Sequence, residues 1–345
     1  MGLQIGDIVP REAIEFSQLK GKTIAVDAYN TIYQFLSTIR QPDGTPLMDK
    51  KGNITSHLSG LFYRNVNLLL EGIKLIYVFD GKPPALKYKT NLARSEVKDE
   101  ARERYKEAVK KEDVDEMGKY ARQVVHITKE IVDESKELLE AMGIAVVQAP
   151  GEAEAQAAYM AKIDKGIYAV GSQDYDSLSF GAPRLIQNLT MSRRRKLASG
   201  SYVFISPELV ELERVLNSLQ INHEQLISLG ILSGTDYNPG GIKGIGPKKA
   251  LQLVRQYKYP AAIFGSVRER IEAQEQEGRG FDWQEVFELF KKPDVDTNAK
   301  AEFPKINETK VKDILLSHDF SEDRIENQLA KLRDIKEQAK QKKLF

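Results

Sequence analysis

The sequence predicts a doubly wound α/β fold with a mainly parallel sheet. Four short apolar segments have the length and composition of buried parallel strands. Longer stretches with helical patterning separate them, and strands that alternate with helices are typical of such a sheet. The predicted strands are Thr23–Val26, Ile73–Phe79, Ile144–Gln148 and Ile167–Gly171, and the predicted helices cover residues 56–71, 86–111, 117–142 and 152–164.

Acidic residues follow each of the four predicted strands. One comes directly after the first strand and one directly after the second, two open the helix behind the third, and two follow the fourth. Ligands of open α/β sheets bind outside the carboxyl ends of the strands, so these side chains are expected to converge on one edge. In chain order they are Asp27, Asp80, Glu152, Glu154, Asp174 and Asp176.

Such a group of carboxylates predicts a site for divalent metal ions. Like charges repel and burial raises their cost, so a protein that gathers several must neutralise them. Mg²⁺ prefers oxygen ligands, and two such ions about 3.5–4 Å apart stabilise the attacking and leaving oxygens of phosphodiester hydrolysis. A single Asp at a strand end is equally well a turn former or helix cap, but four consecutive acidic strand ends favour a metal site.

Residues 82–142, here called the excursion, connect the second and third strands and are far longer than the roughly dozen residues that a crossover needs. The segment is rich in Lys, Arg and Glu, and Gly118 is its only glycine. We predict two helices with a break near residues 112–115, projecting above the acidic edge. A gate and a surface helical hairpin both fit this pattern, and the basic start favours a gate.

The glycine-rich stretch at residues 240–250 predicts a contact to nucleic-acid backbone. Glycines permit close approach to a phosphate, and Pro247 suits the first position of a helix whose free N–H groups bind anions. Lys248 and Lys249 add positive charge, and without base-reading groups the grip on duplex is not sequence-specific. The spacing is not that of a P-loop, so we expect no ATP use. A plain Gly-Pro turn is the alternative.

Composition narrows the class further. The absence of cysteine excludes disulfides, thiolate zinc sites and cysteine nucleophiles. The net charge is only +1, but basic residues concentrate in 82–111, 193–196 and 243–249, as an enzyme acting on nucleic acid requires. No membrane helix and no secretory signal are predicted, so we expect a cytoplasmic or nucleoid location, or a nuclear one in a eukaryote.

The sequence alone allows more than one interpretation of several further residues. Tyr33 lies six residues after Asp27 on the following helix, where it can stack on a base or simply pack in the core. The basic run 193–196 contacts phosphates or forms a solvated loop. The histidines are scattered without a ligand pattern, at positions 57, 126, 223 and 318.

Seven stretches, in order over nearly the whole chain, point to one family. They are AVDAYNTIYQFL (25–36), GNITSHLSGLFYRN (52–65), IYVFDGKPPALK (76–87), APGEAEAQAAY (149–159), GSQDYDSLSFG (171–181), LGILSGTDYNPGGIKGIGPKKA (229–250) and DFSEDRI (319–325). In this set the chain resembles the flap endonucleases of archaea and eukaryotes, within the XPG-type structure-specific 5′ nucleases. The resemblance implies a PIN-like nuclease core, a helical arch at the excursion and a C-terminal helical helix–two-turn–helix region.

The resemblance also implies roles for individual residues. It adds Asp236 to the six strand-end acids as a seventh metal ligand, and it makes Lys87, Arg94, Asp80, Glu154 and Asp176 the catalytic group. Lys87 and Arg94 correspond to a basic pair at the foot of the arch that stabilises the scissile phosphate. The implied DNA contacts are Tyr33, Gly2, Lys87, Arg94, Gly234, Gly244, Gly246, Lys248 and Lys249.

The implied activity is a 5′-flap endonuclease with 5′–3′ exonuclease activity that uses two magnesium ions, with manganese as a substitute and potassium at the helix–two-turn–helix. Its substrates would be 5′ flaps, double flaps and nicked duplexes in Okazaki fragment maturation and repair, and the protein would be an archaeal, thermophilic monomer. The alternatives are a nick- or bubble-directed 5′ repair nuclease, a non-catalytic DNA-junction-binding protein and a PIN-domain ribonuclease. The full acidic set opposes the second, and the duplex-gripping stretch opposes the last.

We expect one nuclease domain over residues 1–330, divided into 1–81, 82–142 (gateway and arch), 143–235 and a duplex-binding helical part, 236–330. Residues 331–345 are expected to be a charged, flexible tail. The family usually ends in a sliding-clamp-binding peptide, of which this chain has at most half, in Gln341, Leu344 and Phe345. Recruitment by a clamp is therefore an open expectation.

Overall fold

The structure of the protein is a computed structural model that describes residues 3, 5–41, 44–111, 113, 116, 119–120, 126–190, 194–196 and 201–341. Within these ranges no helix is both long and apolar enough to cross a membrane.

A seven-stranded mixed sheet forms the centre of the described fold, in the order β1-β9-β6-β5-β2-β3-β4. The five strands from β6 to β4 run parallel to their neighbours, whereas β9 and β1 are antiparallel additions at one side. Two further strands pair as a separate ribbon, β7-β8. The bounds are β1 Glu12–Ala13, β2 Thr23–Asp27, β3 Lys74–Phe79, β4 Ala145–Gln148, β5 Ile167–Gly171, β6 Arg184–Gln187, β7 Arg194–Lys196, β8 Tyr202–Phe204 and β9 Glu208–Glu211.

Helices cover both faces of this sheet and continue beyond it towards the C-terminus. In chain order they are α1 Ala28–Thr38, α2 Ser56–Leu70, α3 Tyr88–Lys110, α4 Lys129–Ala141, α5 Ala153–Ile163, α6 Asp176–Ser179, α7 Leu212–Leu219, α8 His223–Ser233, α9 Pro247–Tyr257, α10 Pro260–Gly265, α11 Arg268–Gln276, α12 Trp283–Lys291, α13 Glu308–Ser317 and α14 Glu322–Gln341.

Alternating strand residues divide the buried core into two layers. Along β3, Ile76 and Val78 pack with α5 and α8 on one face, whereas Tyr77 and Phe79 pack with α1, α2 and α4 on the other. Strand side chains alternate between faces, so a sheet covered on both sides becomes almost continuously apolar. The predicted doubly wound, mainly parallel α/β fold is confirmed.

The excursion leaves β3 and returns through α4 to the adjacent strand β4. Its first helix, α3, begins at Tyr88, close to the predicted helix start at residue 86. Part of the predicted break at 112–115 lies outside the described residues. The N–H of Gly81 donates to the carbonyl of Gly151 (2.7 Å), and that of Lys82 donates to Pro150 (2.9 Å). A Cβ at Gly81 would lie 2.2 Å from the carbonyl oxygen of Ala149, so only glycine fits this close approach.

Some expectations need correction. Strands β1, β6, β8 and β9 were not predicted, because strands of two to four residues give too little alternation to detect. Residues 194–196 form β7 rather than a loop. Helix α14 buries Leu329 and Leu332 and extends to Gln341, and the flexibility of the tail at residues 331–345 stays a prediction.

Candidate active site

The carboxyl ends of the parallel strands bring the predicted acids to one edge of the sheet. Asp27 is the last residue of β2, which lies between β3 and β5. Asp80 follows β3, and Asp174 and Asp176 follow β5. The acidic set means Asp27, Asp80, Glu152, Glu154, Asp174, Asp176 and Asp236.

Asn30 joins the carboxylates that follow two neighbouring strands. Its backbone N–H donates to Oδ1 of Asp27 (3.0 Å), which is thereby the N-cap of α1. Its side-chain amide donates to Oδ2 of Asp174 (3.0 Å). One asparagine thus fixes the positions of two acids that are far apart in sequence.

The next pair of acids meets at the start of α5. Oδ1 of Asp80 accepts a hydrogen bond from the backbone N–H of Ala153 (2.6 Å), in the first turn of that helix. Glu152 is the N-cap residue and Glu154 lies in the first turn. Because Glu152 stands outside the regular helix, the two glutamates, which a continuous helix would point apart, both reach the acidic edge.

Glu154 and Asp176 are each held by a hydrogen bond from another segment of the chain. Oε1 of Glu154 accepts from the hydroxyl of Ser172 (2.6 Å), a residue just beyond β5. Oδ1 of Asp176 accepts from the backbone N–H of Leu3 (3.0 Å), which ties the first residues of the chain to the site. Both bonds are buried or partly buried, so they hold the acids in fixed orientations.

Asp236 reaches the site from the turn that follows α8. The ammonium of Lys87 contacts its Oδ2 (3.2 Å) and also donates to Oε1 of Glu152. The second carboxylate oxygen of Glu152 accepts from the hydroxyl of Tyr237. Lys87 and Tyr237 therefore approach the same glutamate on its two oxygens, and the C-terminal helical part joins the sheet edge here.

Burial and mutual repulsion destabilise the charged forms of these acids. Burial, with the nearby charge of Asp80, raises the pKa of Asp27 to about 8. Burial, with the charges of Asp236 and Asp174, raises the pKa of Asp176 to about 7. Burial also raises the pKa of Glu154, where three neighbouring aspartates add to the effect. Without a cation this site holds protons near neutral pH.

Lys87 supplies positive charge to one side of the set. Burial alone would lower the pKa of its ammonium, but the carboxylates of Glu152, Asp236 and Asp80 outweigh burial and raise that pKa. The same ammonium lowers the pKa of Glu152 and Asp80, although burial leaves both above their ordinary values. The single positive charge of Lys87 cannot neutralise seven carboxylates, so the acidic set can bind further cations.

The donor chemistry fits hard divalent cations. All seven side chains offer carboxylate oxygens, the ligands that Mg²⁺ prefers, and Asp27 and Asp176 are buried at a charge cost that a bound ion would remove. As the side chains stand, no group of three or more His, Asp or Glu residues in the described ranges is arranged to hold one metal ion directly. Binding would therefore need side-chain adjustment, above all at Glu152 and Asp236, where Lys87 now provides the charge.

Among the predicted nucleic-acid contacts, Tyr33 lies on α1, and Gly246, Lys248 and Lys249 lie at the start of α9. Tyr33, on α1, is 41% exposed and is therefore not part of the buried core. Gly246 is the N-cap of α9 with Pro247 in the first turn, and Lys248 and Lys249 are exposed behind it. Gly244 has a φ of +78°, a conformation that favours glycine.

Gly234 and Gly241 show why this stretch needs glycines. Gly234 ends α8 at a φ of +112°, and a Cβ there would lie 2.8 Å from the backbone nitrogen of Gly241. The carbonyl of Gly241 accepts from the side chain of buried Gln274 (3.1 Å), and the same glutamine accepts from the N–H of Lys243 (2.9 Å). Helix α11 thus braces the turn that precedes α9.

Some predicted site residues lie outside the described part of the chain. They are Gly2, Leu344 and Phe345, together with the side chains of Arg94 and Gln341. Three residues that hold the acids in place were not predicted, namely Asn30, Ser172 and Tyr237. Of these, only Asn30 could have been found from the sequence. It lies three residues after Asp27, where the backbone N–H of a helix bonds to the side chain of its N-cap residue.

Comparison with known proteins agrees with this architecture. A family model described as the XPG N-terminal domain matches residues 5–101, and one described as the XPG I-region matches residues 143–236. The chain is 51% identical over 347 residues to Flap endonuclease 1 of Pyrococcus furiosus, covering 100% of this chain and 98% of that protein.

Comparison with solved structures shows that the similarity extends to the three-dimensional fold. Flap endonuclease-1 from Methanococcus jannaschii superposes with a TM-score of 0.72 at 42% identity, covering 96% of this chain and 98% of that chain. The catalytic core of Rad2 in complex with DNA substrate gives a TM-score of 0.70 at 22% identity, over 96% of this chain and 100% of that chain, and shows the shared fold. On this sequence identity and coverage, the chain belongs to the flap endonuclease family of XPG-type nucleases.

Proposed function

We propose that this flap endonuclease cuts 5′ flaps in DNA replication and repair by divalent-metal-assisted hydrolysis at the acidic set, with 5′–3′ exonuclease activity at the same site. The observation that carries the proposal is the convergence of seven carboxylates, from four strand ends and the turn after α8, with Lys87 at one side of the set. A non-catalytic junction-binding protein would have no use for so costly a cluster of buried charge.

The acidic set would hold two magnesium ions, or manganese in their place. When bound, such ions supply the Lewis acidity that phosphodiester hydrolysis needs. The chain's own contribution is orientation. Asn30 fixes Asp27 and Asp174, Ser172 fixes Glu154, and the N–H of Leu3 fixes Asp176.

The catalytic group that we propose is Lys87, Arg94, Asp80, Glu154 and Asp176. Lys87 already lies among the acids, on the strand-proximal end of the excursion, where a scissile phosphate would enter between the carboxylates and the excursion. Its ammonium would then stabilise negative charge that develops on the phosphate oxygens. Arg94 lies further along the chain, on α3, and is assigned the same role by the resemblance to the family.

DNA would be held on both sides of the acids. Tyr33 would stack on a base beside Asp27, and Gly2 would contact the strand near the start of the chain. The N-terminus of α9, with Gly234, Gly244, Gly246, Lys248 and Lys249, would grip the duplex backbone, with potassium as a further ligand. Clamp binding through Gln341, Leu344 and Phe345, a monomeric state and the division of residues 1–330 remain predictions.

The proposal is tested by offering end-labelled single-flap, double-flap, nicked and bubble DNAs with and without Mg²⁺ and mapping the cuts. We expect cleavage of flaps at the junction, one nucleotide into the duplex, only with the metal. Preferential cutting of bubbles would support the nick- and bubble-directed alternative, and binding without any cutting in Mg²⁺ or Mn²⁺ would support the non-catalytic one.

A further inference from the structure

A side chain, rather than backbone alone, joins two neighbouring strand ends at the point where Asp80 leaves the sheet. Strands β3 and β4 run parallel, and their ladder ends with Phe79 opposite Gln148. Beyond that pair the N–H of Ala149 donates to the carbonyl of Phe79 (2.9 Å), and the bonds that close the base of the excursion begin at Gly81. Asp80 lies between these two sets of backbone bonds.

The side chain of Gln148 bonds to the backbone at this position. Its Nε2 donates to the carbonyl of Asp80 (2.8 Å), to that of Ala149 (3.1 Å) and to that of Phe79 (3.2 Å). A glutamine amide has two N–H groups, so the three carbonyls share them. The side chain of Gln148 therefore ties the backbone of Asp80 to the end of β4.

The backbone of Asp80 determines where its carboxylate lies. Oδ1 of Asp80 accepts from the backbone N–H of Ala153 (2.6 Å), the first residue of α5. The first N–H groups of a helix have no acceptor within the helix, so this bond depends on the position of the Asp80 side chain. A shift of the Asp80 backbone should weaken the bond and move the carboxylate within the acidic set.

Lys136 determines which way the amide of Gln148 points. It lies on α4, the helix by which the excursion returns to the sheet, and its ammonium donates to Oε1 of Gln148 (2.8 Å). The same ammonium lies 5.0 Å from the centroid of the Phe79 ring, a distance typical of a cation–π contact. An ammonium only donates and a carbonyl only accepts, so the amide oxygen faces Lys136 and the nitrogen faces the strand ends.

A glutamine is suited to both neighbours at once. A glutamate at position 148 would accept from Lys136 but could not donate to the carbonyls, and a methionine could do neither. Gln148 is exposed, where water competes for hydrogen bonds and lowers their net contribution to stability. The contacts of Gln148 are therefore better suited to orienting Asp80 than to stabilising the fold.

We propose that Gln148 is a positioning residue that holds Asp80 in place for metal binding, and that Lys136 couples α4 to this position. The part that concerns metal rests on the proposed function, in which Asp80 is a metal ligand. Replacement of residues that orient metal ligands lowers metal affinity or activity by roughly 10–100-fold. A movement of α4 that withdraws Lys136 would alter the position of Asp80 without contacting the acids.

The first test measures the position of the Asp80 carboxylate in the metal-free protein without DNA. Hydrogen exchange of the Ala153 amide is followed by NMR in the full chain. The amide of Gln156, whose bond closes the first turn of α5 (3.1 Å), is the internal reference. In Gln148→Met, the Ala153 amide should exchange about tenfold faster relative to that of Gln156, as expected when one hydrogen bond to a charged group is weakened.

Further variants separate the two contacts of the amide. Gln148→Glu keeps the shape of the side chain and the contact to Lys136 but removes the donor, so Ala153 should exchange as fast as in Gln148→Met. Lys136→Met should give a smaller change in the same direction. Gln276→Met and Lys129→Met, at exposed positions, are matched controls and should behave as wild type.

Two outcomes of the exchange experiment would overturn the proposal. One is a wild-type rate at Ala153 in Gln148→Met. The other is an equal acceleration at Ala153 and Gln156, which would show that the variant loosens the whole start of α5. Wild-type exchange in Lys136→Met would overturn the coupling to α4.

A second test measures Mg²⁺ binding through the rise in melting temperature that the ion produces. Half of the maximal rise should need about tenfold more Mg²⁺ in Gln148→Met than in the wild type, while the melting temperature in chelator should change little. In flap cleavage, excess Mg²⁺ should restore the rate, and KM for DNA should be unchanged. An unchanged Mg²⁺ requirement in Gln148→Met would overturn the role in metal binding.

The exchange and melting measurements use no DNA. A wild type that binds Mg²⁺ but does not cut flaps would therefore contradict the proposed function, while the effect of Gln148 on Asp80 would still be measured.

Discussion

The hydroxyl of Thr90 donates to the backbone carbonyl of Asp236 (2.6 Å), so the first turn of α3 is bonded to the residue that brings the seventh carboxylate to the site. Thr90 is buried, and it lies three residues after Lys87, which contacts the same aspartate through its side chain. The base of the excursion and the C-terminal helical part are therefore joined twice around Asp236.

Thr90→Val should remove the hydrogen bond from this side chain to the carbonyl of Asp236. Loss of a buried hydrogen bond should lower the free energy of unfolding by about 1 kcal/mol. Flap cleavage should slow severalfold because Lys87 and Asp236 are less firmly placed. Thr90→Ser keeps the hydroxyl and should retain most of the rate, and a serine variant as slow as the valine variant would argue against the bond.

Asp176→Asn should abolish cleavage and leave flap binding largely intact. The amide keeps the size of the side chain and an acceptor for the N–H of Leu3, but it removes a charge from the acidic set. We expect a loss of at least about 100-fold in single-turnover rate, the scale of removing one charge-stabilising group. Cleavage at the wild-type rate in Mg²⁺ would rule out Asp176 as a metal ligand, and Asp164→Asn, at an exposed aspartate, is the control.

The metal-free protein should lose stability as pH rises from about 4 to 8. The pKa of Asp27 is raised from 3.8 to about 8 and that of Asp176 from 3.8 to about 7, so the folded state binds more protons than the unfolded state over this interval. Stability then falls with pH. Melting temperatures in chelator should show this slope, and Mg²⁺ should reduce it.

Asp27→Asn separates this effect from other titrations. The amide retains the N-cap acceptor for Asn30 but cannot ionise, so the metal-free variant should melt higher than wild type at pH 8 and show a flatter pH profile. A metal-free wild type that becomes more stable over the same pH interval would contradict the electrostatic account of the acidic set.

Lys87→Ala should lower kcat more than it weakens binding, since the ammonium is expected to act on charge that develops during the reaction. The expected loss is about 10²–10³-fold, measured under single-turnover conditions. Lys82→Ala, at an exposed lysine of the same segment, should have little effect on kcat. Weakened affinity with an unchanged rate would assign Lys87 to binding instead.

Binding of flap DNA should weaken with rising salt, because phosphate contacts release counterions. Replacing Lys248 and Lys249 with alanine should reduce the slope of log affinity against log salt by about two, one for each lost contact. Lys165→Ala, an exposed lysine elsewhere, should leave the slope unchanged. Affinity without salt dependence would count against the N-terminus of α9 as a duplex grip.

Sequence reasoning placed six of the seven acids without family knowledge, because strand ends of a parallel sheet meet at one edge whatever their separation along the chain. Asp236 followed no strand, and only the packing of the turn after α8 brings it to Lys87, so local pattern had no access to it. The contact between His318 and Asp49 was not predicted for the same reason. It spans 269 positions and depends on how α13 and α14 return to the loop at residues 44–55.

The hydrogen bonds from Gly81 to Gly151 and from Lys82 to Pro150 close the excursion at its base, between two adjacent parallel strands. A covalent break within the excursion would therefore not separate the two halves of the protein, because the sheet and both core layers would still hold them together. The fold can be understood as two complementary fragments joined by a bridge, and the part of the bridge beyond Lys87, Thr90 and Arg94 and before α4 is free to change in length or sequence without redesign of the catalytic edge.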